Sequence, residues 1–250
     1  MDAQDRIERP KWIEESSVNS SPPTGELHHA WRLVLLGPPG VGKGTQGELL
    51  CQRLEICHIS TGDLFRAAGS RKGVDQTPAM AEAMKCIRHG DLVPDSTVWE
   101  LVREQSDSLR SRKGFLLDGF PRTLAQAERL KLFMDDEKLS LTAVVDYEMP
   151  QAEITTRLSG RRICAQCKSV FHITWRPPKT EGVCDDCGGR LYRRDDDNPA
   201  SIAIRLEAYK RSTAPLIQFY KNLGLLTPVD AVGSADEVFA RTMAALQARS

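Results

Sequence analysis

The most constraining feature of the chain is the run Gly37-Pro-Pro-Gly-Val-Gly-Lys-Gly-Thr45, which directly follows the apolar stretch Arg32–Leu36. A short apolar run ending at a Gly/Pro cluster reads as a strand buried in a parallel sheet, and Gly44 to Leu54 reads as a helix with Leu49, Leu50 and Leu54 on one side. A glycine-rich turn between strand and helix is where a phosphate-binding loop has to be. Its glycines let backbone N–H groups turn inward around phosphate oxygens, the helix N-terminus adds its positive end, and Lys43 reaches the outer phosphates. Phe115–Leu117, Ala143–Tyr147 and Leu225–Val229 are further buried-strand candidates. Their alternation with helical segments predicts an α/β fold with a parallel sheet flanked by helices.

The stretch from Gly160 to Asn198 breaks that alternation, being rich in Cys, Gly, Pro and charge, and reads as an inserted subdomain. Within it Cys164-x2-Cys167-x16-Cys184-x2-Cys187 has the zinc-ribbon spacing, in which two tight knuckles meet around one tetrahedral ion. Four thiolates fill the shell, so such an ion is structural rather than catalytic. Two redox C-x-x-C pairs are the competing reading, and iron is the alternative ion. The three other cysteines, Cys51, Cys57 and Cys86, read as small buried hydrophobes. Seven cysteines in this arrangement are not a disulfide framework, which points to a reducing compartment, the cytoplasm.

Charge excludes some functions. Thirty-four Lys and Arg balance thirty-four Asp and Glu, which argues against a broadly basic nucleic-acid surface. The longest apolar runs, such as Leu33–Leu36, are far short of the ~20 residues that span a bilayer, so no membrane role is expected. Residues 1–30 hold six acidic and three basic side chains among Ser and Pro, lack the apolar core of a secretory signal, and read as a disordered extension.

The Lys43-Gly44-Thr45 step has Gly where the general phosphate loop has its Ser or Thr, and this Gly-Lys-Gly-Thr form resembles the adenylate kinase family. His58-Ile-Ser-Thr-Gly-Asp-Leu-Phe-Arg66, Asp91-Leu-Val-Pro-Asp95, Asp118-Gly-Phe-Pro-Arg-Thr123 with Gln126, Arg157-Leu-Ser-Gly-Arg-Arg162, and Arg194-Asp-Asp-Asp-Asn-Pro199 with Arg205 follow in the family's order. The chain is identified as a member of that family, of the long-lid, zinc-containing type.

The resemblance implies a P-loop NTPase fold with a small helical AMP-binding insert and a four-cysteine zinc-ribbon lid. Core segments are expected at 31–60, 94–156 and 206–250, the insert at 61–93 and the lid at 157–205. It also implies Mg2+-dependent transfer between ATP and AMP giving two ADP, by a monomer. Gly40, Gly42, Lys43, Gly44, Thr45, Arg157 and Arg161 correspond to ATP contacts, with Arg157 over the adenine. Thr61, Gly62, Arg66, Gly119, Arg122, Gln126, Arg194 and Arg205 correspond to AMP contacts. Lys43, Arg122, Arg161, Arg194 and Arg205 would carry the catalytic charge, which suits phosphoryl transfer because guanidinium groups bind phosphate oxygens bidentately. Asp118, ending a buried strand, would hold magnesium through water. Cys164, Cys167, Cys184 and Cys187 would hold zinc. Three departures from the family bear on the AMP pocket: a longer segment between Arg66 and Asp91, acidic Asp91 where a basic residue is common, and Ala203 and Ile204 at commonly basic positions.

Two other functions fit parts of the pattern. A kinase for another nucleoside monophosphate would share the arginine set, although Thr61 favours AMP by resemblance. A zinc-ribbon nucleic-acid-binding protein that merely binds ATP would share the cysteines, but only Phe171, Trp175 and Tyr192 supply aromatic rings around the ribbon.

Overall fold

The computed structural model describes residues 30–70, 78–105, 109–110 and 113–249. The expected N-terminal extension lies outside these apart from Ala30. Strand β1 (Trp31–Leu36) leads into helix α1 (Lys43–Leu54), then β2 (Cys57–Ser60), α2 (Thr61–Ser70), α3 (Pro78–His89) and α4 (Asp95–Glu104). Strand β3 (Gly114–Asp118), α5 (Leu124–Asp136), β4 (Ala143–Glu148) and α6 (Gln151–Gly160) follow. Strands β5 (Arg161–Cys164), β6 (Val170–His172) and β7 (Leu191–Tyr192) precede a 3-10 turn at Asp195–Asp197 and α7 (Pro199–Ala208). A π turn (Tyr209–Thr213), α8 (Pro215–Asn222), β8 (Leu226–Asp230) and α9 (Ala235–Gln247) complete the chain.

The expected parallel sheet is present. Its order is β2-β3-β1-β4-β8 with every pairing parallel, and all four strands read from sequence belong to it, with ends that differ by a residue or two. Alternation along β1 explains why its whole length is apolar. Leu33 and Leu35 pack on one face with Leu50 of α1 and Val238 of α9, while Val34 and Leu36 pack on the other with Trp99, Leu130 and Tyr220 of α4, α5 and α8. Burying a large side chain such as Phe115 this completely makes its truncation cost about 3–5 kcal/mol. Pro228, which has no N–H to give, sits in β8, the edge strand.

The insert forms a separate antiparallel sheet, β6-β5-β7, around a small core of Cys164, Phe171, Cys184 and Leu191. Its entry helix α6 and exit helix α7 pack together through Ile154, Leu158, Ile202 and Leu206. That contact joins the two helices that carry Arg157 and Arg205. Cys51, Cys57 and Cys86 differ from expectation: they are half-buried, at the rim of the two main clusters rather than inside them.

Candidate active site

The loop after β1 needs its glycines. Gly37 and Gly40 have φ of 127° and 85°; a Cβ on Gly37 would lie 2.6 Å from the Tyr147 carbonyl oxygen, and one on Gly40 would lie 2.6 Å from Leu158 Cγ. Lys43 Nζ folds back to donate to the Gly37 and Pro38 carbonyls at 2.7 and 2.9 Å, bracing the loop. Gly42 caps α1 without a side chain, leaving the first-turn N–H groups of the helix for an anion. Burial chiefly, helped by the nearby Arg122 and Arg205, pulls the Lys43 ammonium down to about 8 despite Asp118 and Asp146.

Asp118 ends β3, as a residue at the ligand-binding edge of such a sheet should. Its carboxylate makes no hydrogen bond among the described residues, lies 3.9 Å from His58 Nε2, and faces the first turn of α1, where a Cβ on Gly44 would be 3.8 Å away. A free carboxylate in that place fits a hydrated divalent cation. Thr45 is half-buried in the same turn of α1.

All eight residues expected at the acceptor nucleotide line one cleft: Thr61, Gly62, Arg66, Gly119, Arg122, Gln126, Arg194 and Arg205. Four arginines thus share its lining with the apolar side chains of Phe65, Val93 and Val98. Gln126 is almost fully buried and already occupied. Its Oε1 accepts from the Arg122 N–H at 2.7 Å and its Nε2 donates to Asp95 Oδ1 at 2.6 Å. Asp95 also takes the Thr123 hydroxyl, and Thr213 donates to the Arg122 carbonyl, so these residues fix the Arg122 backbone. Sequence reasoning assigned neither Asp95 nor Thr213 a role; Asp95 had a signal, its position at the start of α4 in a quoted motif.

Arg161 and Arg194 are held apart from solvent by two buried carboxylates. Arg161 binds Asp197 through Nε and Nη2 at 2.8 and 2.6 Å, and Arg194 binds Asp196 through Nε and Nη2 at 2.8 and 2.5 Å. Arg205 Nη1 reaches both, 3.2 Å from Asp196 and 3.1 Å from Asp197. Three guanidiniums therefore share two carboxylates, leaving one positive charge unmatched for a phosphate. Burial works to raise the Asp196 carboxyl, but Arg194 and Arg205 outweigh it and hold it at about 2. Burial, opposed by Asp196, and the charges of Arg194 and Arg161 bring Arg205 to about 10.

Arg157 joins three parts of the molecule: it donates to the Val41 carbonyl of the phosphate loop at 3.5 Å and to the Gly233 carbonyl before α9 at 3.0 Å, and its guanidinium lies 5.7 Å from the Trp175 ring of the insert. Trp175 in turn stacks on His172 at 4.1 Å. His172 Nδ1 accepts the Thr174 and Trp175 N–H groups, so it is spent on the loop and stands apart from the cysteines. The four expected thiols do come together. Cys164 and Cys187 sulfurs are 3.4 Å apart, Cys167 and Cys184 sulfurs 3.5 Å, and all four lie within 4.8 Å. A tetrahedral Zn–S shell of about 2.3 Å bonds has edges near 3.8 Å, so the cluster is compatible with a structural zinc.

Comparison with known proteins agrees with this geometry. A family model described as Adenylate kinase matches residues 35–225. The chain is 46% identical over 216 residues to the adenylate kinase of Carboxydothermus hydrogenoformans, covering 86% of this chain and 99% of that one. It is 47% identical over 214 residues to the adenylate kinase of Syntrophobacter fumaroxidans, at 86% and 99% coverage, and 43% identical over 216 residues to that of Methanocella arvoryzae, at 86% and 98%. These relatives support nucleoside monophosphate kinase activity. The chain belongs to the adenylate kinase family and is a phosphotransferase.

Proposed function

We propose that the protein transfers the terminal phosphoryl group of ATP reversibly to AMP, giving two ADP. The observation that carries this reading is the single cleft in which all eight expected acceptor residues meet. Gly40, Gly42, Lys43, Gly44 and Thr45 would cradle the donor phosphates, with Arg157 beside its base. Arg66, Arg122, Arg194 and Arg205 would hold the acceptor phosphate, and Arg161, carried on the insert, would join them at the transferring group. Transfer is in line, without a covalent intermediate, so the work of these groups is to align two polyphosphates and neutralise charge that builds in the transition state. Asp118 would hold Mg2+ through water, and that ion would supply charge neutralisation between the phosphates. Thr61 and Gly62, with Gly119 and Gln126, would face the acceptor base.

The reading divides the chain into a core (31–60, 94–156, 206–250), an acceptor insert (61–93) and a lid (157–205). Cys164, Cys167, Cys184 and Cys187 would hold zinc that staples the lid, whose own apolar core is only four residues among those described. Closing the lid would exclude water from the reacting phosphates. The protein would work as a monomer in the cytoplasm with ATP, AMP and ADP as its partners, a setting supported by C-x-x-C thiols arranged to ligate rather than cross-link. A coupled assay with AMP, GMP, CMP and UMP tests the acceptor. AMP should be strongly preferred, and a better acceptor among the others would overturn the assignment.

A further inference from the structure

His172 ends β6, where the insert folds back against its entry helix α6. Its ring meets Gly160, the last residue of that helix. A Cβ on Gly160 would lie 2.1 Å from His172 Nε2, so the ring can approach only a glycine there. Nε2 lies 3.3 Å from the Thr156 carbonyl oxygen, and the Ile173 N–H donates to the Gly160 carbonyl at 3.0 Å. The chain then turns: His172 and Arg176 exchange backbone hydrogen bonds at 3.0 and 3.3 Å. Inside the turn the Thr174 and Trp175 N–H groups both point to His172 Nδ1, at 3.0 and 3.2 Å.

One protonation state fits this arrangement. Two N–H donors on Nδ1 require a lone pair there, so the ring proton sits on Nε2 and donates to Thr156. A second proton would set a third donor against those two and deprive both of their acceptor. Burial chiefly, opposed by the hydrogen bond to Thr156 and helped by Arg157 of α6 and Arg162 of β5, holds the imidazole below its ordinary range. Those two arginines are the charged groups that face the ring.

Trp175 connects the turn to the site. Its ring stacks on His172 with centroids 4.1 Å apart and lies 5.7 Å from the Arg157 guanidinium. Arg157 also holds the phosphate loop at Val41 and the loop before α9 at Gly233. The turn thus bounds one side of the residue read above as lying beside the donor base.

We propose that neutral His172 is a positioning residue for the donor nucleotide: it locks the turn 173–176 to α6 and holds Trp175 at Arg157, and protonation of the ring releases that turn, so donor binding weakens in mild acid. This rests on the donor reading above. His172 takes no part in the transfer itself, so the effect falls on KM for ATP and spares kcat.

The test is the pH dependence of initial rates between about pH 5.5 and 8, with ATP or AMP varied, on the wild-type protein, His172→Asn and His172→Ala. Asn is the informative change, because its Oδ1 can accept the same turn N–H groups and does not titrate. Protonation of the nucleotides is common to all three proteins, so each constant is read as a ratio to that of His172→Asn at the same pH. The wild-type ratio for KM of ATP should rise about fivefold from pH 7.5 to 5.5, the worth of one lost hydrogen bond. The ratios for kcat and for KM of AMP should move less than about twofold. His172→Ala, with no acceptor at any pH, should show a raised ratio for ATP with no acid step. A wild-type ratio for ATP that stays constant across the range overturns the proposal while ATP remains the donor. A protein that turns over no ATP at any pH overturns the donor reading, and this proposal with it.

Discussion

Asp197 grips Arg161 with two parallel hydrogen bonds, at 2.8 and 2.6 Å, although thirty-six residues separate them. The carboxylate is wholly buried and also holds Arg205. It therefore ties the start of β5 to the exit helix and holds both guanidiniums in place.

Removing that carboxylate leaves buried guanidinium charge unpaired. Asp197→Ala should cost about 3 kcal/mol, which lowers Tm by roughly 6–12 °C in a protein of this size, and should reduce kcat because Arg161 loses its aim. Scanning calorimetry and steady-state rates measure both; an unchanged Tm would show that the pair carries no structural load.

Asp196 makes the same network sensitive to acid. Its folded carboxyl titrates at about 2 against an ordinary 3.8. Above about pH 4 both states are ionised and the full stabilisation is present. As pH falls toward 2 the unfolded chain takes up the proton first, and the stabilisation is lost. The Tm gap between wild type and Asp196→Asn should therefore narrow between pH 5 and pH 2.5, whereas a gap constant across that range contradicts the assignment.

Lys43 should show the opposite limb. With its ammonium pulled down to about 8, the protonated form declines above that pH, so, if Lys43 binds the donor phosphates as proposed, kcat/KM for ATP should fall on the alkaline side. Bound phosphates favour the charged form, which moves the corresponding limb of kcat to higher pH. Lys43→Met should lower kcat by about 10²–10³-fold and abolish the alkaline limb of kcat/KM near 8. A variant with wild-type kcat would remove Lys43 from the reaction.

Cys184 is buried in the small core of the insert with its sulfur 3.5 Å from that of Cys167. Cys184→Ser should purify with less than one zinc per chain by elemental analysis and melt at lower temperature. Full zinc content with an unshifted melting curve would rule out the four-thiol site.

The parts legible in sequence were those in which neighbouring residues act together. The run Gly37–Thr45 and the two C-x-x-C pairs each build a site within one or two turns, and the apolar runs of β1, β3 and β4 follow from burial on both faces. The pairings that organise the site were not legible, because they join residues far apart: Asp95 to Gln126, Asp197 to Arg161, Thr213 to Arg122. Gln126 shows the consequence. Its motif position was readable, but the fold has already committed one acceptor and one donor of its amide to protein partners. Residue type alone points to burial of Cys51, Cys57 and Cys86, whereas their half-burial depends on where they meet the cluster edges.

In the proposed reaction the cleft and the phosphate loop act on two nucleotides at once. Phosphorus NMR of the protein with Mg-ATP and AMP follows both nucleotides together. One ATP and one AMP should disappear for every two ADP formed, with no inorganic phosphate and no turnover of ATP when AMP is omitted. ADP and inorganic phosphate released from ATP at the same rate with or without AMP would contradict it.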